Sequence, residues 1–259
     1  MSIRERLVPA LQAALVHLGG SVLVAGLSAA LVFGLWFPAP YDELAGGLFL
    51  WALVAVVDLV CGPLLTLIVF DRSKPRGELV RDIGFIALLQ LAALGYGLYS
   101  VAQARPIYLA YEGDRFRLVS MADVDAGKLG EAPPELRSPG YGGPRLLGAK
   151  LTESSDPAFQ HSILLSIQGL PPAFRPSRWV AYESLLPQLH DALQPVAILK
   201  AKHPDAATRI DQALNQHGLT EESAGFLPLN AAKADPLDWV VIVQRDHGIP
   251  KVFLPLDGW

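Results

Sequence analysis

Three things are scarce in this chain, and each scarcity excludes something. It holds one cysteine, Cys61, so no disulfide closes within it and zinc ligation by a cysteine pair is ruled out. Only 18% of its 259 residues are charged, and neither sign dominates: the formal net charge is −4. Residues 1–104 carry six Lys/Arg against seven Asp/Glu, and residues 105–259 fifteen against eighteen. No basic field exists to serve nucleic acid, whose binding needs one. Motifs that carry chemistry are also missing. There is no Gly-x-Ser-x-Gly elbow. His161, His190, His203, His217 and His247 show no metal-ligand spacing. The glycine-rich stretch 140–148 lacks both the Lys-Ser/Thr of a phosphate loop and the spacing of a dinucleotide fingerprint. The residues therefore point to no enzyme, no cofactor and no metal. His247 in a tight turn and Glu183 and Asp191 on a helix surface read as solvated groups.

Apolar residues are abundant. They make up 51% of the chain, and the excess sits near the N-terminus. Three runs, 16–37, 44–70 and 83–101, are each long enough at about 1.5 Å per residue to cross a hydrocarbon core of roughly 30 Å. Orientation follows the short loops. Arg4 and Arg6 precede the first run, the loop after it has Asp42 and Glu43 but no Lys or Arg, and the loop after the second has Arg72, Lys74, Arg76 and Arg81. The N-terminus and the second loop are thus expected in the cytoplasm and residues 105–259 on the far side. Arg4, Arg6 and the small residues around Ser28 resemble a signal peptide, but the run continues to Phe37, longer than an ordinary signal core, and reads as an uncleaved anchor. Trp36, Phe37 and Tyr41 sit where aromatic side chains anchor at the headgroups.

Asp58 lies inside the second run. An ionisable group in lipid persists when it faces other helices, a wet cavity or a partner. Counting equal depth from the basic ends of the runs brings Ser28 and Tyr96 opposite Asp58, with Gln90 about one turn away. Asp58 reads as helix glue, as a docking point for a polar group of another membrane helix, or as a proton relay; the absence of a chain of acids disfavours the last. Gly62-Pro63 should kink the run and release backbone acceptors. Gly95 and Gly97 leave a bare surface where a helix can approach.

The C-terminal part reads as an α+β domain. Residues 107–111 and 115–120 form a hairpin about Glu112-Gly113-Asp114, and residues 145–151 suggest a strand. Helical patterns cover 156–167, 182–193 and 204–217, and residues 127–144 read as loop. A short strand at 226–229 and a hairpin of 239–244 with 251–254 close the domain, so its sheet uses both ends of the segment.

Several motifs together resemble a known family. Leu35-Trp36-Phe37-Pro38, Asp58-Leu59-Val60-Cys61-Gly62-Pro63-Leu64-Leu65-Thr66-Leu67, and Asp82 leading to Gln90-Leu91-Ala92-Ala93-Leu94-Gly95-Tyr96-Gly97 resemble the type IV pilin accessory proteins of the TfpX/TfpZ kind. So do Arg105-Pro106-Ile107 running into Asp114-Arg115-Phe116, Phe226-Leu227-Pro228-Leu229 before a hairpin, and the ending Leu256-Asp257-Gly258-Trp259. The likeness is strong over 31–118 and loose over 120–225. It implies a bacterial inner-membrane protein with a periplasmic domain that acts on the major type IV pilin before pilin enters the fibre, in the manner of a chaperone and without catalysis. It draws attention to Asp58, Gly62, Pro63 and Gln90. A membrane-anchored sensor or transport component would need a cytoplasmic output module, and a membrane-bound enzyme a pocket of converging titratable groups.

Overall fold

The computed structural model describes residues 3–231 and 239–259. The chain divides into two compact units, Met1–Ala104 and Arg105–Trp259.

The first unit is helical. Helix α1, Ile3–Leu31, runs on through a π-helical turn, Val32–Trp36, and is followed by the short α2, Tyr41–Leu44, then α3, Gly47–Val69, and α4, Arg76–Ala104. The most apolar windows of the three long helices have mean hydropathies of 2.0, 2.5 and 1.7, with only 22%, 17% and 11% of each buried. Phe49, Phe85, Leu23 and Leu88 point outward. In water so wide an apolar surface would aggregate, whereas lipid tails match it. This is an α-helical membrane region of three long helices. Helix α3 packs against both α1 and α4. The second run begins later than expected: Gly46, left-handed at φ 66°, separates residues 41–44 into their own turn. Phe37 is not a surface anchor. It is fully buried and lies so close to Gly47 that a Cβ there would be 2.5 Å from its ring.

The second unit is α+β. Its strands are β1 Pro106–Tyr111, β2 Phe116–Ser120, β3 Arg145–Ala149, β4 Trp179–Val180, β5 Gln194–Pro195, β6 Ala224–Asn230, β7 Trp239–Gln244 and β8 Ile249–Leu254. Its helices are α5 Phe159–Ile167, α6 Leu186–Ala192, α7 Val196–Lys202 and α8 Ala207–Gln216. One sheet runs β4-β3-β1-β2-β6-β7-β8, with β5 also on β6. Its two halves meet at a narrow seam, where β2 and β6 pair in parallel through only Phe116–Leu229 and Arg117–Asn230. Pro228 falls where the outer edge of β6 changes partner, between the residues paired to β5 and those paired to β2; an interior strand tolerates a missing donor at such an interruption.

The seam is also held by a side chain. Arg117 Nε donates to Glu112 Oε2 at 2.7 Å, and the pair is largely buried, with 20% and 6% of the two side chains exposed. With the Asn230 amide oriented to satisfy its neighbours, its oxygen accepts from Arg117 Nη2 at 3.1 Å and Nη1 at 3.3 Å. The guanidinium also lies 5.7 Å from the centroid of Phe174.

Among the described residues, two apolar clusters pack the unit. One packs α7 and α8 onto β6–β8 through Leu199, Ile210, Phe226 and Ile242. The other joins Tyr108, Leu147 and Trp179 to residues that read as loop, Ala132 and Leu136. Residues 127–144 indeed contain no long element before β3, yet they are tied down: Tyr108 Oη donates to Leu136 O at 2.7 Å. The helix expected over 182–193 starts as a 3-10 turn, Tyr182–Leu185, before α6. Helix α7 and the two-residue strands β4 and β5 were not expected; seven residues or fewer give no readable period.

Burial also sets an alkaline limit. Burial pushes Tyr111 up from 10.0 to about 12 and raises Tyr182, whose hydroxyl donates to Gly248 O. A phenol raised by folding holds its proton more tightly in the folded chain. Its contribution to stability is therefore intact below pH 10 and is lost as pH climbs toward 12. Tyrosinate absorbance from Tyr111 and Tyr182 is expected to appear only well above pH 10, together with unfolding of this unit. Titration of all tyrosines in one stage near pH 10 would contradict it.

Candidate functional site

Polar contacts between the membrane helices form two seams. Along α1 and α3, Arg6 Nη2 donates to Ile68 O at 3.0 Å, His17 Nδ1 lies 2.5 Å from Thr66 Oγ1, and Ser21 Oγ is 3.5 Å from Asp58 O. Farther along, Trp51 Nε1 donates to Ser28 Oγ at 2.9 Å while Ser28 donates to Ala25 O at 2.8 Å. Phe33 meets the Trp51 ring edge-on at 5.5 Å. Each contact places a donor where lipid offers none, so the seam sets the register of two helices that hydrophobicity alone would leave free to slide.

Across α3 and α4 the tie is Asp58–Gln90. Gln90 Nε2 donates to Asp58 Oδ1 at 3.0 Å and to Asp58 O at 3.2 Å. Asp58 is thus where all three long helices are joined by polar contacts. Gly62 makes this possible: a Cβ there would fall on the Gln90 amide. About two turns along the same interface, a Cβ on Gly97 would come 2.7 Å from Val54. Gly95 faces open space, so of these two glycines Gly97 alone serves close packing within the unit. Helix α3 continues unbroken through Pro63, and the carbonyl that receives side chains beside it is that of Asp58.

Depth counting from the sequence mispaired two residues. Ser28 meets Trp51 rather than Asp58, and Ser21 takes the place expected of Ser28. The Tyr96 side chain is 75% exposed and Gln90 takes its place. Both errors have one cause: α1 and α4 extend beyond their apolar cores at the basic end, starting at Ile3 and Arg76, so equal depth in apolar run is not equal depth in helix. His17–Thr66 and Trp51–Ser28 were missed altogether. Ser21–Asp58 and Ser28–Trp51 share one antiparallel register, seven residues along each helix, so either pair would have predicted the other.

Beside the Asp58–Gln90 tie, α3 and α4 diverge into a groove of about 540 Å³. Leu53, Val57, Asp58 and Cys61 of α3 face Leu89, Gln90, Ala93 and Tyr96 of α4. The groove is mostly apolar, with Ser100 toward one end and the Asp58–Gln90 pair as a polar spot. Gln90 Oε1 is buried and has no donor among the described residues. A buried acceptor left unmatched costs about 1–3 kcal/mol, so the spot favours a ligand that brings a donor. Among the described residues no three His, Cys, Asp or Glu side chains group as metal ligands would.

Comparison with known proteins now bears on this geometry. The sequence profile of the family described as "Fimbrial assembly protein FimB" matches residues 5–46, which cover most of α1, the π-helical turn and α2. The chain is 33% identical over 250 residues to the fimbrial assembly protein of Dichelobacter nodosus serogroup I, covering 95% of each. This chain belongs to the fimbrial assembly protein family. The serogroup E1 protein of the same organism is 32% identical over 247 residues, again 95% of each chain. That of serogroups C1 and C2 is 35% identical over 129 residues, 50% of this chain and 98% of its own length. No solved structure matches. Family membership agrees with the resemblance carried by the motifs around Asp58 and Gln90, and the two full-length relatives run through both the helical unit and the α+β unit.

Proposed function

We propose that this chain assists type IV pilus assembly as a chaperone-like accessory factor of the bacterial inner membrane, holding an unassembled pilin until it enters the fibre. The groove between α3 and α4 takes the pilin's membrane helix, and Asp58 and Gln90 form the polar contact that sets its register. The N-terminus lies in the cytoplasm and the α+β unit in the periplasm, where it meets the exported part of the same pilin. Two linked weak contacts give avidity through effective concentration.

One observation carries the reading: a largely apolar groove between two membrane helices that holds a carboxyl–carboxamide pair with a buried oxygen lacking a donor among the described residues. Lipid tails offer that oxygen nothing. A membrane helix with a hydroxyl, amide or ammonium group offers a donor together with matching apolar surface. Membership of a fimbrial assembly family supports pilin as the helix concerned.

Photo-cross-linkers at Val57 and Leu89, in membranes containing pilin, are expected to give an adduct of one chain with one pilin. Absence of any pilin adduct from the groove removes the reading. Asp58→Asn keeps the shape of the side chain but changes its charge and donors. It is expected to lower both adduct yield and surface pili at unchanged protein level; unchanged piliation would reduce the carboxyl to a tie between helices. A topology reporter fused after Trp259 should be active only outside the cytosol.

A further inference from the structure

Helix α5 is built inside out. Of its nine residues, Phe159–Ile167, only Ser162 is buried. Ile163 and Leu164 are about half exposed, and Ile167 is 77% exposed. Leu170 just beyond it and Leu151 opposite are exposed as well. A surface helix normally turns such residues inward. Here the inward position is held by polar chemistry: Arg175 Nη2 donates to Ser162 Oγ at 2.9 Å, and burial lowers the Arg175 pKa. The helix is therefore pinned by its serine and leaves its aliphatic side chains free.

Ile163, Ile167 and Leu151 border a cleft of about 810 Å³ between α5, the tip of the β1–β2 hairpin and Pro171-Pro172. The hairpin wall carries charged side chains that are already partnered. Asp114 and Arg115 are paired at 2.7 Å, Arg115 lies 4.1 Å from the Trp259 ring centroid, and the Glu112–Arg117 pair forms the floor. Isolated exposed leucines are ordinary, but a contiguous aliphatic lip on a preformed concavity marks a docking surface.

Two kinds of occupant suit aliphatic side chains, a membrane surface and a protein. Interfacial membrane helices carry Lys or Arg beside the apolar face, whereas α5 has neither and the nearest exposed charges leading into it are Glu153 and Asp156. A planar lipid surface also leaves a concave cleft unfilled. The geometry points to a protein partner: we infer that the α5 cleft, whose own charges are paired with each other, takes a protruding aliphatic segment flanked by basic residues that complement the exposed Glu153 and Asp156 at its rim. Resting on the reading above, that segment belongs to the exported part of the pilin, so α5 supplies the second of the two linked contacts.

The test uses the full-length chain in membranes containing pilin, with a photo-reactive residue at Ile167 in one variant and at Val57 in another. The expected result is a one-to-one pilin adduct from both. A pilin adduct from Val57 but none from Ile167 overturns the α5 assignment and leaves the groove standing. Lipid adducts or a covalent dimer of this chain from Ile167 also overturn it, and no pilin adduct from either position overturns both readings. Because Ile163 and Ile167 are exposed, Ile163→Asp with Ile167→Asp should leave protein level and thermal unfolding unchanged. The double variant is expected to cut the Val57 adduct on the order of tenfold, since losing one of two linked contacts removes the avidity. An unchanged yield overturns the inference.

Discussion

Replacing Arg117 by alanine is expected to destabilise the α+β unit by about 3 kcal/mol, the low end for breaking a buried ion pair, since Arg117 keeps 20% of its side chain exposed. The loss falls at the narrow seam that joins the two halves of the sheet. β2 and β6 share only two residue pairs, and one of them is Arg117–Asn230. Without the guanidinium, Glu112 is left as a buried charge and the Asn230 oxygen loses its donors. Backbone amides of β2 and β6 should then exchange with solvent about 100-fold faster in native-state hydrogen exchange, whereas those of α1 and α3 should not change. Adding Glu112→Gln to Arg117→Ala is expected to recover part of the loss, because the orphan charge disappears. A double variant as unstable as the sum of its parts would show that the pair contributes through shape alone.

Gly62→Leu is expected to have the second large effect, about 1–3 kcal/mol of destabilisation from overpacking the α3–α4 interface. Gly62→Ala isolates the polar part of that loss. Even a single methyl group would occupy the position of the Gln90 amide, which swings aside at little steric cost but gives up both hydrogen bonds to Asp58. Hydrogen bonds between membrane helices are worth roughly 0.6–2 kcal/mol. Gly62→Ala should cost about that much, and no more when Gln90→Ala is already present. Thermal unfolding in detergent micelles, followed for the two single variants and the double variant, reads this directly. Full additivity would mean that Gly62 and Gln90 do not act through one contact. Both changes at Gly62 should also weaken pilin capture from Val57, since the Asp58–Gln90 spot loses its geometry.

Much of this organisation is written locally. Apolar runs long enough to span lipid, interrupted by Pro38 and Pro40 and by the loop carrying Arg72 and Lys74, specify three membrane helices because each such helix satisfies its own backbone and needs no partner to be recognised. Glu112-Gly113-Asp114 specifies a hairpin because the turn demands that chemistry, and Gly113 takes φ 77° there. Asp58 stands out by itself because charge in lipid is costly whatever surrounds it.

The pairings are another matter. Side-chain partners across helices depend on how far each helix slides along its neighbour, and an apolar run ends where its polarity changes rather than where its helix does. Hence Asp58 meets Gln90 and not Tyr96, and Ser28 meets Trp51. The same holds in the α+β unit. That β6 returns to lie beside β2, that Arg117 clamps the join, and that α5 turns Ser162 inward are long-range outcomes. Ile163, Leu164 and Ile167 look from the sequence like ordinary core residues, and only the packing of Arg175 against Ser162 leaves them outside. Composition and period decided what each segment would be. Which surfaces stayed open for a partner was decided by packing, because exposure is set by what the rest of the chain covers.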